Sequence, residues 1–228
     1  MTMLGDMAPR RSYGDGCATA QALDIVGERW ALLIVRELLL GPKRFTDLRA
    51  DLPGVSPTVL AQRLREFTRE GVVHHRRMAP PMSVHIYELT EWGHKLEPVI
   101  HMLGMWALQS PTPPCAPPQS VDANVLSLRV LFDPDAARGR TVRFALNVDE
   151  RRYRVCVMDG GLDLARGEVH APDATIDTDV LTLHALLHRT RSVHDALEAG
   201  AIKVSGSVAA VADLPVLFRP DRHRALAG

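Results

Sequence analysis

Two periodicities divide the chain. Up to about residue 110, apolar positions recur mostly three and four apart, as on helices; beyond it, alternating runs come first and helical spacing returns later. Ala18 to Val26 and Trp30 to Leu40 are predicted helices parted near Gly27, the second stopped by Gly41-Pro42. A short helix over Thr46 to Leu52 follows, then the turn Pro53-Gly54-Val55 and a longer helix opened by Ser56. Ser56 suits an N-cap, Pro57 the first helical position, and Gly71 a left-handed C-cap. Short helix, tight turn and longer helix are the outline of a helix-turn-helix. Behind it, VVHHRR and VHIYEL, joined by MAPPMS, predict a hairpin with a proline-stiffened tip, placed as a wing would be. Thr90 caps a final predicted helix in which Trp92, Leu96, Val99, Leu103 and Trp106 recur at spacings of four, three, four and three. That seam suits packing against another helix, including a second copy.

Residues 111 to 118, PTPPCAPP, hold five prolines and predict an extended spacer of about 25 Å at ~3.1 Å per residue. The expected organisation is therefore residues 1–110, a linker over 111–120 and a second domain over 121–228. In the second half LSLRVLF, TVRFALNV and RRYRVCVM predict strands. Tyr153, Val155 and Val157 alternate with Arg152, Arg154 and Cys156, as on a sheet with one buried face. The fold class expected is α+β.

On a helical wheel with Leu60 at 0°, Leu64 falls at about 40° and Phe67 at about 340°, a narrow apolar stripe. Arg65, Thr58, Arg69 and Gln62 fall between about 140° and 200°, so the opposite face carries no acid; Glu66 and Glu70 lie to its flank. Arg bonds guanine in two places, Gln adenine, and a Thr methyl can touch thymine. Thr58 and Gln62 are assigned chiefly to bases, Arg65 to bases or phosphate, and Arg69 to phosphate. Arg63, at about 300°, lies nearer the core edge, to brace the domain or touch phosphate. Arg44, Thr46 and Ser56 join the DNA-facing set, with Arg76 and Arg77 of the wing preferred to His74, His75 and His85. The same helix face also reads as an ordinary solvated surface. The preceding helix, the turn and the hairpin favour DNA.

Net charge is +0, which argues against indiscriminate coating of nucleic acid. The distribution is uneven. Between Lys43 and Arg77 eight basic residues face four acidic ones, a local excess of +4. Three dispersed cysteines, Cys17, Cys115 and Cys156, give neither a disulfide framework nor paired zinc spacing, so a reducing cytoplasm is expected. No secretory leader or spanning segment is read from the apolar runs. No phosphate loop, nucleophile elbow, H-E-x-x-H or C-x-x-C motif is present, so no enzyme, metal or cofactor is expected.

Residues 13 to 109, with LDIVGERW, RF.DL, SP.VL..RL and a terminal LTEWG in order, resemble HxlR-type winged-helix transcriptional regulators, relatives of the MarR group. The resemblance implies a homodimer on pseudo-palindromic operator DNA, with contacts from the first and last helices. Here those would involve Leu23, Val26, Trp92, Leu96, Val99, Leu103 and Trp106. Some members sense oxidants or electrophiles through a cysteine before the first helix, where Cys17 stands, although a small inert thiol is the alternative. Residues 173 to 218 resemble the C-terminal part of sterol-carrier-type domains, implying an open sheet covered by helices around an apolar cavity. Leu183, Leu186, Leu187, Leu197, Leu217 and Phe218 would line it, with Leu181, Val193, Leu214 and Val216 as further candidates; all could equally fill an ordinary core. The function expected is a regulator responsive to a small hydrophobic effector. The alternatives are a redox regulator acting through Cys17 or a lipid carrier.

Overall fold

The computed structural model describes residues 12–79, 83–111 and 120–219. Cys115, the wing tip at Pro80 and Pro81 and the linker prolines other than Pro111 lie outside them.

The first half opens with α1 (Ala18–Val26), α2 (Ala31–Leu38) and α3 (Phe45–Asp51), then α4 (Pro57–Arg69). The local chemistry of α4 is what its sequence requires. Ser56 Oγ accepts from the Val59 amide at 3.2 Å, Pro57 occupies the first turn, and Gly71 ends the helix at φ +74°. Leu60, Leu64 and Phe67 are buried, as the wheel requires. Strands β1 (Val73–Arg77) and β2 (His85–Leu89) pair antiparallel as the wing, and Lys43 adds a bridge to Tyr87 with amide–carbonyl contacts of 2.9 and 2.8 Å.

The expected single closing helix is in fact two, α5 (Glu91–His94) and α6 (Glu97–Leu108). Pro98 explains the break, since it offers no N–H to the preceding turn and its ring crowds it. Gly93 in LTEWG is required by close approach, because a Cβ there would lie 2.2 Å from the Val72 carbonyl oxygen. Thr90 strengthens the same corner by donating its hydroxyl to the Gly71 carbonyl at 2.7 Å.

In the second half LSLRVLF is not a strand. It belongs to α7 (Val121–Leu131), opened by Ser120, whose hydroxyl accepts from the Ala123 amide. The buried positions Val125, Leu128 and Leu131 have helical spacing, and the alternation visible over the same residues was ambiguous in so short a run. Strands β3 (Thr141–Val148), β4 (Arg151–Met158), β5 (Gly161–Arg166), β6 (Ala174–Thr178) and β7 (Ile202–Gly206) form one sheet in the order β5-β4-β3-β6-β7. Only the β3–β6 pair among these is parallel. Helices α8 (Val180–Leu187), α9 (Val193–Glu198), α10 (Val208–Ala212) and α11 (Leu214–Leu217) follow. Phe144, Leu146, Tyr153, Val155, Val157, Leu164 and Ile176 make the buried face, while Arg143, Arg152 and Arg154 lie on the other. The result is the mixed α+β architecture expected, with a sheet covered by helices on one side.

The two halves share one continuous apolar core. Helix α7 joins them by packing on α2 and α6 as well as on α8.

Candidate nucleic-acid interface and apolar cavity

The candidate reading face is built from α4 outward. Thr58, Gln62, Arg65 and Arg69 are exposed together, opposite the buried stripe. Arg44, Thr46 and Ser56 are exposed at the starts of α3 and α4. Arg63 differs from its neighbours. Its side chain is largely buried, with guanidinium nitrogens 2.5 Å from Glu66 and 3.4 Å from Glu28, so it braces α4 against the segment before α2. Glu66 also accepts from Gln62 at 3.0 Å, and Glu70 pairs with Arg69 at 3.2 Å. On the wing, Arg77 is exposed, but Arg76 is held by both carboxylate oxygens of Glu88 across the hairpin, at 2.5 and 2.8 Å. That pairing raises the Arg76 guanidinium and lowers the Glu88 carboxyl. Arg76 would therefore contact phosphate only by giving up or sharing this bidentate partner, whereas Arg77 would not.

A second surface lies on α6. Val99, Met102, Leu103 and Trp106 are exposed apolar side chains at helical spacing, with Trp106 at 74% and Met102 at 66%, and Trp92 and Leu23 are exposed as well. Val26 and Leu96, expected with them among the dimer contacts, are half-buried and pack against the core. Cys17 stands exposed at the N-cap of α1, where the backbone amides of Thr19 and Ala20, then the Thr19 hydroxyl, hold its thiol below the usual value. Cys156 is raised chiefly by burial.

The second half encloses a cavity of about 430 Å³ between the sheet and α7, α8 and α11. Leu183, Leu186, Leu187 and Phe218 line it, together with Val193 and Leu214. Leu217 is not in the wall; it is fully buried in the core, and Leu197 lies half-buried on α9 away from the lining. Leu181 and Val216 are exposed. The sheet supplies walls that the leucine pattern did not single out: Phe144, Leu146, Val155 and Ile176.

Between this cavity and the wing lies a buried charge network that the sequence reading missed. Lys43 Nζ is 2.6 Å from Glu37, 2.5 Å from Asp51 and 2.7 Å from Asp122, and the side chains of Lys43, Glu37 and Asp122 are wholly buried. Arg151 reaches Asp51 at 2.5 Å and Asp122 at 3.3 Å, Arg166 lies 3.6 Å from Asp122, and Tyr153 donates its hydroxyl to Asp122. Ser120 donates to Glu37 at 2.8 Å. Burial alone would raise the Asp122 carboxyl, but Lys43, Arg166 and the hydrogen bonds from Lys43 and Tyr153 outweigh it and hold it low. Burial and then Asp122 push the Tyr153 phenol well above its usual range. The three carboxylates converge within 4.8 Å, a donor set a cation would accept, but the Lys43 ammonium already stands among them. Glu37 and Lys43 come from α2 and the turn after it, Asp51 from α3, and Asp122, Arg151 and Arg166 from the second half. The network thus bolts the helix-turn-helix to the sheet. Main-chain contact adds to it where the Arg166 amide donates to the Leu40 carbonyl at 3.0 Å.

Helix-turn-helix, capped arginine-rich helix and wing together define a winged-helix DNA-binding protein. Residues 25–113 match the HxlR-like helix-turn-helix family. YvaP of Bacillus subtilis (strain 168), described as an uncharacterized HTH-type transcriptional regulator, is 42% identical over 90 residues, 39% of this chain and 82% of that protein. The HTH-type transcriptional regulator YodB of the same organism is 39% identical over 90 residues, 39% and 79% of the two chains. A solved structure of the reduced form of YodB is similar at 33% identity, with a TM-score of 0.39 over 43% of this chain and 97% of that one. The chain belongs to the HxlR-like helix-turn-helix family. It is a DNA-binding transcriptional regulator, and the family is non-enzymatic. No helix among the described residues is long and apolar enough to cross a membrane.

Proposed function

We propose that the protein is a cytoplasmic, homodimeric regulator that binds a pseudo-palindromic operator and responds to a small hydrophobic effector held in the second half. The observation that carries this reading is the placement of an apolar cavity in a sheet that the Lys43 network fastens to α2 and α3. Val155 in the cavity wall shares strand β4 with Arg151 and Tyr153 of the network, so a change in the wall has a short route along the strand to Arg151 and, through its ion pair, to Asp51 on the helix-turn-helix. A sterol-carrier-like role for the fold suits the covered sheet and its cavity. The dimer is supported by the apolar side chains of α6, whose exposure on a soluble regulator calls for a partner.

Coupling requires the effector to favour one arrangement of the two reading helices over another. The test is a mobility-shift titration on the DNA upstream of the protein's own gene, with and without an organic extract of the source cells. Sequence-selective binding with a steep salt slope, altered by the extract, is expected. Binding indifferent to sequence would defeat the regulator reading.

Cys17 supports a second reading, redox control, because it is an exposed, acidified thiol at a helix start. A Cys17→Ser variant that still lost or gained DNA affinity fully on oxidant treatment would remove it.

A further inference from the structure

Helix α8 carries two histidines on one flank. His184 and His188 are four positions apart, so a helix of 3.6 residues per turn stacks them one above the other. Their ring centroids lie 4.3 Å apart, with the planes inclined by 44°. His188 is the C-cap, and its amide donates to the His184 carbonyl at 3.0 Å, so the two side chains bracket the last closed turn. The leucines of the same helix serve another purpose: Leu183, Leu186 and Leu187 line the cavity, whereas neither histidine does. His184 is half-buried and His188 exposed, so solvent reaches the pair without passing through that cavity.

One observation sets His184 apart from a histidine that only fills space. Its Nδ1 is buried and has no hydrogen-bond partner among the described residues. Such an orphaned atom is costly, and most buried polar atoms are paired. Nearby charges do not claim the rings. Asp179, at the head of α8, accepts from the amide and hydroxyl of Thr182 at 2.8 and 2.7 Å, and the Arg189 guanidinium donates to the Pro215 carbonyl at 3.0 Å. The C-terminal end of α8, where His188 stands, carries the partial negative charge that favours a cation.

The spacing suits one kind of ion. Two imidazoles held about 2.0–2.1 Å from one ion have their ring centres about 4.5 Å apart when they meet at a right angle, and about 5 Å apart on a tetrahedron. The separation in α8 lies near the right-angle value, which favours ions that accept tetragonal nitrogen ligands, Cu2+ and Ni2+, ahead of Zn2+. No third His, Cys, Asp or Glu among the described residues joins the pair, so water would complete the coordination. Hard cations such as Mg2+ prefer oxygen. The wing also brings two histidines together, His75 and His85 at 5.2 Å. There the His75 ring lies flat against Tyr87, at 4.4 Å and 7°, and Arg77 stands opposite His85 in the strand register. That pair is the poorer chelate.

We propose that His184 and His188 chelate one divalent transition-metal ion of the Cu2+ or Ni2+ type. The ion ties the final turn of a helix only eight residues long, and so steadies the wall that Leu183, Leu186 and Leu187 give the cavity. The site is independent of what the cavity holds.

The test titrates the full-length protein with NiCl2, ZnCl2 and MgCl2 by calorimetry and reads the thermal unfolding midpoint with and without each salt. Nickel is expected to bind more tightly than zinc and to raise the midpoint, and magnesium to do neither. His188→Gln, at an exposed position, should lower nickel affinity at least about tenfold and abolish the rise, with the metal-free midpoint unchanged. His184→Gln should lose the nickel response in the same way, whereas replacing His75 and His85 together by Gln should leave it intact. A nickel response that survived the loss of both α8 histidines, or that vanished with the wing pair, would overturn the site. So would a native protein whose midpoint nickel does not raise. Zinc binding tighter than nickel would overturn the right-angle geometry.

Discussion

The protein carries two gatherings of charge that use the same residue types under opposite conditions. On α4, Arg65 and Arg69 stand in water beside Thr58 and Gln62, whereas at the junction Lys43, Glu37 and Asp122 are wholly removed from it. In water, ion pairs contribute little to folding and the charges remain available to a partner. In the interior the desolvation cost is large, and only complete mutual compensation holds the group together. Lys43, with Arg36, Arg151 and Arg166 around it, against Glu37, Asp51 and Asp122 supply that compensation, four cations facing three carboxylates. One cluster is thus built to meet DNA and the other to fix the geometry in which that meeting takes place.

The sharpest way to break this comparison is to remove the central cation of the buried cluster. Lys43→Met leaves three carboxylates facing three arginines that reach them only from the edge, and should cost on the order of 3–5 kcal/mol of folding stability, measured by urea unfolding. A cost as small as that of an exposed pair would mean that the network is not dry. Next in size, Arg65→Ala should lower operator affinity by about 1–3 kcal/mol and relax sequence preference if it reads a base, with folding stability nearly unchanged. Arg69→Ala, as a phosphate contact, should weaken all sequences alike and reduce the salt slope by about one.

Acid offers a gentler probe of the junction. The Asp122 carboxyl titrates below its unfolded value of 3.8, so its contribution is complete above that value and is withdrawn as pH falls through the lower folded one. The unfolding midpoint should therefore fall more steeply below about pH 4 in the native protein than in Asp122→Asn, each measured against its own neutral-pH value. The smallest effect is expected for Arg76→Ala. Its pair with Glu88 stands in water and should add little to folding stability, and DNA affinity should drop less than for Arg65→Ala.

The two regions also differed in how far their sequence could be read. The winged helix follows from local signals: Ser56, Pro57 and Gly71 bound α4, and the alternation of Tyr153, Val155 and Val157 likewise marks β4. Helix α7 was misread because Leu126, Leu128 and Val130 alternate within a run too short to separate the two periods, and α6 because the seam of apolar residues continues across Pro98. The cavity was legible only in its leucines, since its remaining wall is the buried face of the sheet. The junction could not be seen as a site. Lys43 and Asp51 had been counted with a basic surface patch, and their partner Asp122 is remote in sequence. Two signals did exist. Glu37 interrupts the apolar run Ile34, Val35, Leu38, and Arg151 shares the inward parity of Tyr153, Val155 and Val157. Charges on otherwise apolar faces are expensive, so they call for partners that local periodicity cannot name.

The central claim is that filling the cavity changes how the winged helix holds DNA. The most direct measurement is operator affinity in the full-length protein at fixed salt, with the cavity empty and then saturated by a hydrophobic ligand whose occupancy is verified by calorimetry. A change of about 5–150-fold, reduced in Arg151→Gln although that variant still binds both ligand and operator, is the predicted result. An operator affinity that stayed the same with the cavity demonstrably full would contradict it.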